Sequence, residues 1–372
     1  MTGETAKERL AFLLPNLRGG GAERVALTII RDFVARGHPV DLVLVRAEGD
    51  LLPLVPRGVE IVDLAAPRLL GAIRPLARYL RRRRPAGLQA RMWPLTIVAI
   101  LARLAARVPT RVVVSDHVAL SEQYGRQPRT FAALKATVRF LYPRAHARVL
   151  VSAGAADDLA RISGIPRDRF TVIHNPVPAI EPRPDQAIDA LWGDAAFRIV
   201  TAGSLKQQKN HALLIDAFAR VREHRDARLM LVGEGELRDA LEADVAARGL
   251  GSSVVFAGFV ANPVDYIATA NLFVLSSDYE GFGNVLVEAM RLGVPVVSTD
   301  CRSGPSEILD GGRFGRLVPC GDGAALAEAI EAELDAPTPP GLLEARADAI
   351  SGQRSIDRYL ELLLGRPSAA TS

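Results

Sequence analysis

The chain has 372 residues, 49% of them hydrophobic, which is enough for two domains with separate cores. Its two cysteines, Cys301 and Cys320, are too few for a disulfide framework and match no metal-ligand spacing. Residues 1–9 lack an apolar targeting core, and no apolar run reaches the roughly 18 residues of a spanning helix, so the expected location is the cytoplasm.

Leu10 to Leu14 reads as a buried strand, followed by Gly19-Gly20-Gly21 and a helical pattern from Ala22 to Ala35. Glycines between a strand and a helix let the backbone approach a ligand, while the helix N-terminus offers free N–H groups. A dinucleotide fingerprint is excluded, because Arg24 stands where a third small residue is needed and Asp41 opens its strand instead of closing it. Further strands are expected at Val40–Val45, Val59–Val62, Arg111–Val114, Val149–Ser152 and Phe170–Ile173, with helices between them. After Val114, Ser115-Asp116-His117 places an imidazole at a strand's carboxyl end, where open α/β sheets bind ligands.

The net charge of +4 conceals a division: residues 1–177 hold 28 Lys and Arg against 14 Asp and Glu, net +14, and the remainder is −10. Arg74, Arg78 and the run Arg81–Arg84 could attract the phosphates of an anionic membrane surface or an acidic acceptor. Nucleic acid is disfavoured, because no aromatic residues alternate with the arginines to stack bases.

The Pro-rich stretch His174–Pro184 reads as an interdomain linker. Strands restart at Arg198–Ala202, Arg228–Val232, Ser253–Ala257, Leu272–Ser276, Val294–Ser298 and Arg316–Val318, alternating with helices. The expected architecture is α/β: two Rossmann-like, doubly wound domains, 1–177 and 178–350, facing a central cleft. The last segment, 351–372, carries a helical pattern over Ser355–Leu364 and is expected to pack back on the N-terminal domain.

Chemistry concentrates in Glu280-Gly281-Phe282-Gly283-Asn284-Val285-Leu286-Val287-Glu288. Glu280 falls in the loop after a buried strand, and Glu288 falls in a helix over Asn284–Leu292, so both carboxylates can grip hydroxyls beside an anion at the helix N-terminus. Lys206 and Lys209, in Gly203–Asn210, precede the helix Ala212–Glu223, where an ammonium and free N–H groups would converge on an anion. Gly233-Glu234-Gly235-Glu236 has no phosphate-loop spacing and reads as a turn near the cleft rim. No Asp-x-Asp pair, His-x-x-x-His, Cys/His cluster, Walker lysine or Gly-x-Ser-x-Gly elbow is present, so no metal or other cofactor is expected.

Glu280–Glu288, Gly203–Lys209, Gly20-Gly21, Asn175-Pro176 and Gly258-Phe259-Val260 together resemble the retaining, sugar-nucleotide-dependent glycosyltransferases of family four, which have the GT-B fold. The resemblance spans nearly the whole chain. It implies transfer of a sugar from a nucleoside diphosphate sugar to an acceptor, without a metal. Glu288 would hold the ribose hydroxyls, Glu280 the sugar hydroxyls and Lys209 the diphosphate, with Val285 and Leu286 N–H groups assisting. Gly258 to Val260 would meet the base, Gly20 and Gly21 would approach the diphosphate, and His117 would lie near the reacting sugar. Where the family commonly has arginine after the first glycine of the Gly203 segment, this chain has Ser204.

The family habit further implies front-face departure of the diphosphate, and lipid-linked or polysaccharide acceptors at the inner face of the cell membrane. Rival readings are a GT-B epimerase, which needs no acceptor, a phosphorylase, which would need pyridoxal phosphate, and a non-catalytic binder of sugar nucleotides.

Overall fold

A computed structural model describes residues 7–18 and 20–366. In the first half, seven strands form one sheet: Leu10–Leu14 (β1), Val40–Leu44 (β2), Glu60–Asp63 (β3), Gly87–Arg91 (β4), Arg111–Asp116 (β5), Ala147–Leu150 (β6) and Thr171–Val172 (β7). Their order is β3-β2-β1-β4-β5-β6-β7, and all pairs are parallel. Parallel strands need long crossovers, and helices supply them on both faces. The continuous apolar run of β1 follows from this double covering, since neither face meets water, and β2 is buried throughout with one interruption, Asp41, which is paired with Arg9 and Arg83.

Two differences from the expected strands matter for the site. Gly-Leu-Gln-Ala-Arg of β4 escaped the hydrophobic pattern because every second residue is polar, yet all five are buried. Leu88 and Ala90 join one core layer, while Gln89 and Arg91 face the opposite layer and bond to each other. The strand β5 runs on to Asp116, with Ser115 paired to Arg91 and Asp116 to Leu150, so Ser115 and Asp116 are strand residues and not loop.

The second half repeats the plan with Phe197–Ala202 (β8), Ala227–Val232 (β9), Val254–Gly258 (β10), Leu272–Leu275 (β11), Val296–Thr299 (β12) and Arg316–Val318 (β13). The order is β10-β9-β8-β11-β12-β13, again all parallel. A core of Ile199, Leu229, Leu231, Leu272 and Val274 packs under Leu214, Phe218 and Val221 of the helix His211–His224.

Backbone proximity divides the chain into one unit up to Pro176 together with the residues from Gly352, and a second unit, Val177–Ser351. The terminal helix Gln353–Leu364 therefore belongs to the first sheet. Its Ile356, Tyr359 and Leu363, at helical spacing, pack with Leu10, Phe12, Val113 and Val149. Full burial of such side chains contributes roughly 1.5–3 kcal/mol each.

Candidate functional site

Each sheet has one place where strand order reverses, between β1 and β4 in the first and between β8 and β11 in the second. Loops leaving such neighbours diverge and open a crevice at the strands' carboxyl ends. Gly20 and Gly21, after β1, and Lys209 and Glu280, after β8 and β11, lie at these two places, while His117 follows β5, beside β4, and Val260 follows β10, two strands from β8.

In the second unit, the loop after β8 carries Lys209 and the loop after β11 carries Glu280. Lys209 Nζ lies 2.5 Å from Glu280 Oε1, which also accepts a hydrogen bond from Ser277 Oγ at 2.7 Å. Glu280 is 7% exposed, so its charge is sustained by these two donors and not by water. Backbone and side chains sew the two loops together: Asp278 N–H donates to Gln208 O at 2.9 Å, Gln208 Nε2 to Tyr279 O at 2.8 Å, and Asn210 Nδ2 to Asp278 Oδ1 at 2.8 Å. Beyond β12, Ser303 Oγ donates to Glu280 O at 2.7 Å. Glu280 is thus fixed at side chain and backbone alike.

The helix Asn284–Arg291 starts from Gly283, whose φ of +99° suits glycine. Gly304, at φ +95°, lies so close to Phe282 that any Cβ would collide with the Phe282 carbonyl. Phe282 is 2% exposed and belongs to the interior. The Leu286 N–H, expected to face an anion, donates to Gly283 O at 2.9 Å. Gly281 is buried, while Asn284, Val285 and Glu288 are half-buried along the helix.

Ser204 and Lys206 are both exposed, in contrast to the paired Lys209. The Gly233–Glu236 turn lies beside them: Leu205 N–H donates to Glu234 O at 2.9 Å, and Gly233 N–H to Gly258 O at 2.9 Å. This brings the half-buried Val260 segment into the same row of loops. His211 opens the next helix, and burial, with the Lys209 ammonium second, pushes its pKa down to about 4.

In the first unit, Gly20 and Gly21 are exposed at the start of the helix Gly21–Ala35; Gly19 lies outside the described residues. The buried Glu23 folds its carboxylate back against Gly20, and burial raises its pKa. That carboxylate partly satisfies the positive end of the helix before any ligand arrives. His117 is half-buried just past β5, with Ser115 Oγ 3.2 Å and Arg91 Nη1 3.4 Å from its Nε2. Its pKa is lowered well below the usual range, first by burial and then by Arg91.

Arg91 was missed in the sequence because β4 was missed. It is fully buried, and its Nη1 also donates to Ala22 O at 3.1 Å, so it joins the first turn of the helix to His117. The arginine run is not uniformly available to a partner. Arg83 bridges Asp41 and Glu60, and Arg81 donates to Ala105 O at 3.1 Å. Among the described residues, no group of three or more His, Cys, Asp and Glu side chains could hold a metal ion, and no helix is long and apolar enough to cross a membrane.

Residues 19–179 match the family described as Glycosyltransferase Family 4, and residues 196–335 match that described as Glycosyl transferases group 1. The chain is 28% identical over 321 residues to the N-acetylgalactosamine-N,N'-diacetylbacillosaminyl-diphospho-undecaprenol 4-alpha-N-acetylgalactosaminyltransferase of Campylobacter jejuni, covering 84% of this chain and 86% of the relative. It is 26% identical over 305 residues to the amylovoran biosynthesis glycosyltransferase AmsD of Erwinia amylovora, covering 81% and 83%. The crystal structure of HepE from Anabaena in complex with UDP superposes with a TM-score of 0.79 at 22% identity, covering 96% of this chain and 100% of that one. At that identity the superposition speaks for the fold alone.

Proposed function

We propose, for a chain that belongs to the family-4 glycosyltransferases and has their two-domain GT-B fold, that it moves a sugar from a nucleoside diphosphate sugar to a lipid-linked or polysaccharide acceptor, with retention at the anomeric carbon. The observation that carries this reading is the Lys209–Glu280 pair, held between the loops of β8 and β11 beside the N-terminus of Asn284–Arg291. The acceptor class rests on two relatives whose names specify an undecaprenol diphosphate and amylovoran.

In this reading the diphosphate takes the Lys209 ammonium and the N–H groups at the helix start, Glu288 takes the ribose hydroxyls and Glu280 the sugar hydroxyls. The Val260 segment meets the base. Charge grows on the diphosphate oxygen as the sugar leaves, and donors fixed in place before the reaction stabilise that charge without reorganisation. With Ser204 where the family has an arginine, Lys209 and the helix carry that task, and Lys206 is the nearest exposed substitute. No metal is required, and the work is done at the cytoplasmic face of the membrane.

The test is a thermal-shift screen of the chain in EDTA against UDP-, ADP- and GDP-sugars. A ligand present at about 100 times its Kd stabilises the folded state by about 2.7 kcal/mol. At least one sugar nucleotide is expected to raise Tm, and Lys209→Ala and Glu288→Ala are expected to reduce the shift. No shift with any of them would overturn the donor assignment. Conversion of the donor without an acceptor would identify an epimerase, and binding without transfer a non-catalytic protein.

A further inference from the structure

Building on the transferase reading, in which His117 lies near the reacting sugar, we infer that Arg91 is a positioning residue that, with Ser115, locks His117 in the tautomer carrying its proton on Nδ1, so that this nitrogen is the one left to donate. An arginine can only donate. With Arg91 Nη1 3.4 Å from His117 Nε2, a proton on Nε2 would face an N–H, whereas the bare nitrogen accepts from it. Ser115 Oγ, 3.2 Å from the same nitrogen, can turn its hydroxyl proton toward it as a second donor.

The guanidinium has little freedom to turn away. Arg91 is 0% exposed; Nη1 is tied to Ala22 O, Nη2 lies 3.3 Å from Gln89 Oε1, and the ring of Tyr359 lies 5.8 Å from its central carbon. Glu23, in the first turn of the adjacent helix, is the acidic group whose charge acts on it. Tyr359 comes from the helix Gln353–Leu364, so a segment near the end of the sequence braces a residue close to its beginning.

The opposite ring nitrogen is left over. His117 Nδ1 is buried and has no hydrogen-bond partner among the described residues. A buried donor without an acceptor is costly, and native proteins keep few of them without a reason. An oxygen of a substrate brought to the carboxyl end of β5 would satisfy it. The histidine so fixed cannot act as a general base through Nε2, because that lone pair is already engaged. Its contribution is orientation and polarisation of the sugar or acceptor hydroxyl.

The test is a long-range proton–nitrogen correlation spectrum of the full chain labelled with 15N-histidine, with the His117 signals assigned by their loss in His117→Asn. The expected spectrum at neutral pH shows a neutral ring with Nδ1 protonated and Nε2 bare. A proton on Nε2, or an imidazolium, would overturn the inference. Arg91→Met is expected to give mixed tautomers; should that variant not fold, the spectrum of the unsubstituted chain still decides.

Turnover supplies an independent readout. The asparagine amide N–H of His117→Asn stands where Nδ1–H stood, so kcat is expected within about tenfold of the parent, whereas His117→Ala should lose about 100-fold or more. Equal losses would overturn the substrate-facing role. Absence of any sugar transfer by the parent chain, with the Nδ1–H spectrum intact, would count against the transferase reading and leave the tautomer assignment standing.

Discussion

At the scale of single residues, the pairing with Glu280 distinguishes Lys209 from Lys206. Lys209 is held at 2.5 Å from a buried carboxylate, while Lys206 is exposed. With Lys209 on the diphosphate as proposed, Lys209→Ala removes that cation and leaves Glu280 without its counter-charge, so kcat should fall about 100- to 1,000-fold. Lys206→Ala should change it less than about fivefold. Steady-state kinetics of the two variants checks the ranking; equal losses would undo it.

His211 gives a second residue-scale outcome. Its folded pKa near 4 lies below the unfolded value of about 6.5, so the folded state favours the neutral ring. Its contribution is therefore intact at neutral pH and is lost as pH falls from about 6.5 toward 4. Between pH 7 and pH 5 this amounts to about 2 kcal/mol. Urea unfolding in a Trp93→Phe background, where Trp192 reports on the second unit, should show that additional loss in the parent and not in His211→Gln.

At the scale of elements, the loop Ser276–Gly283 depends on how closely other backbone approaches it. Gly304→Ala places a methyl group against the Phe282 carbonyl and forces an L-residue to φ +95°. The expected cost is about 1–3 kcal/mol, read as a lower urea midpoint, together with weaker donor binding as the helix start shifts. A variant with unchanged midpoint and donor affinity would contradict this account of the loop.

Elements also show what was legible in the sequence. Both sheets, and every strand but β4, could be read from the sequence; the central strands, buried on both faces, show as apolar runs, and the edge strands β3 and β7 are short β-branched stretches. The Glu280–Glu288 segment was legible because a strand, a turn of glycines and a helix follow one another within a few residues. The strand β4 was not, since its interior polar residues, Gln89 and Arg91, break the apolar run and bond to one another along the strand. With it went Arg91 and the correct end of β5. The engagement of the Leu286 N–H with Gly283 was equally invisible, because a tightened first turn leaves no compositional trace.

At the scale of the molecule, the terminal helix completes the first unit. Tyr359 is 0% exposed against the face of the sheet that also buries Leu10 and Phe12. Tyr359→Ala should cost about 3–5 kcal/mol. Trp93 lies in the first unit and Trp192 in the second, so the loss should appear in the Trp93 fluorescence transition and not in that of Trp192. The division of charge between the halves, +14 and −10, belongs to this scale too. With Arg83 committed to Asp41 and Glu60, binding to anionic vesicles would fall to the other arginines of the run. It should weaken steeply with added salt, and salt-insensitive binding would argue against a headgroup contact.

The most direct test of the whole account is sugar transfer itself. Purified chain in EDTA is supplied with the sugar nucleotide selected by thermal shift and an undecaprenyl-diphosphate-linked glycan, and the anomeric configuration of the product is read by proton NMR. An α-linked product from an α-linked donor, lost in Lys209→Ala, is the predicted result; an inverted product, or transfer undiminished by that substitution, would contradict it.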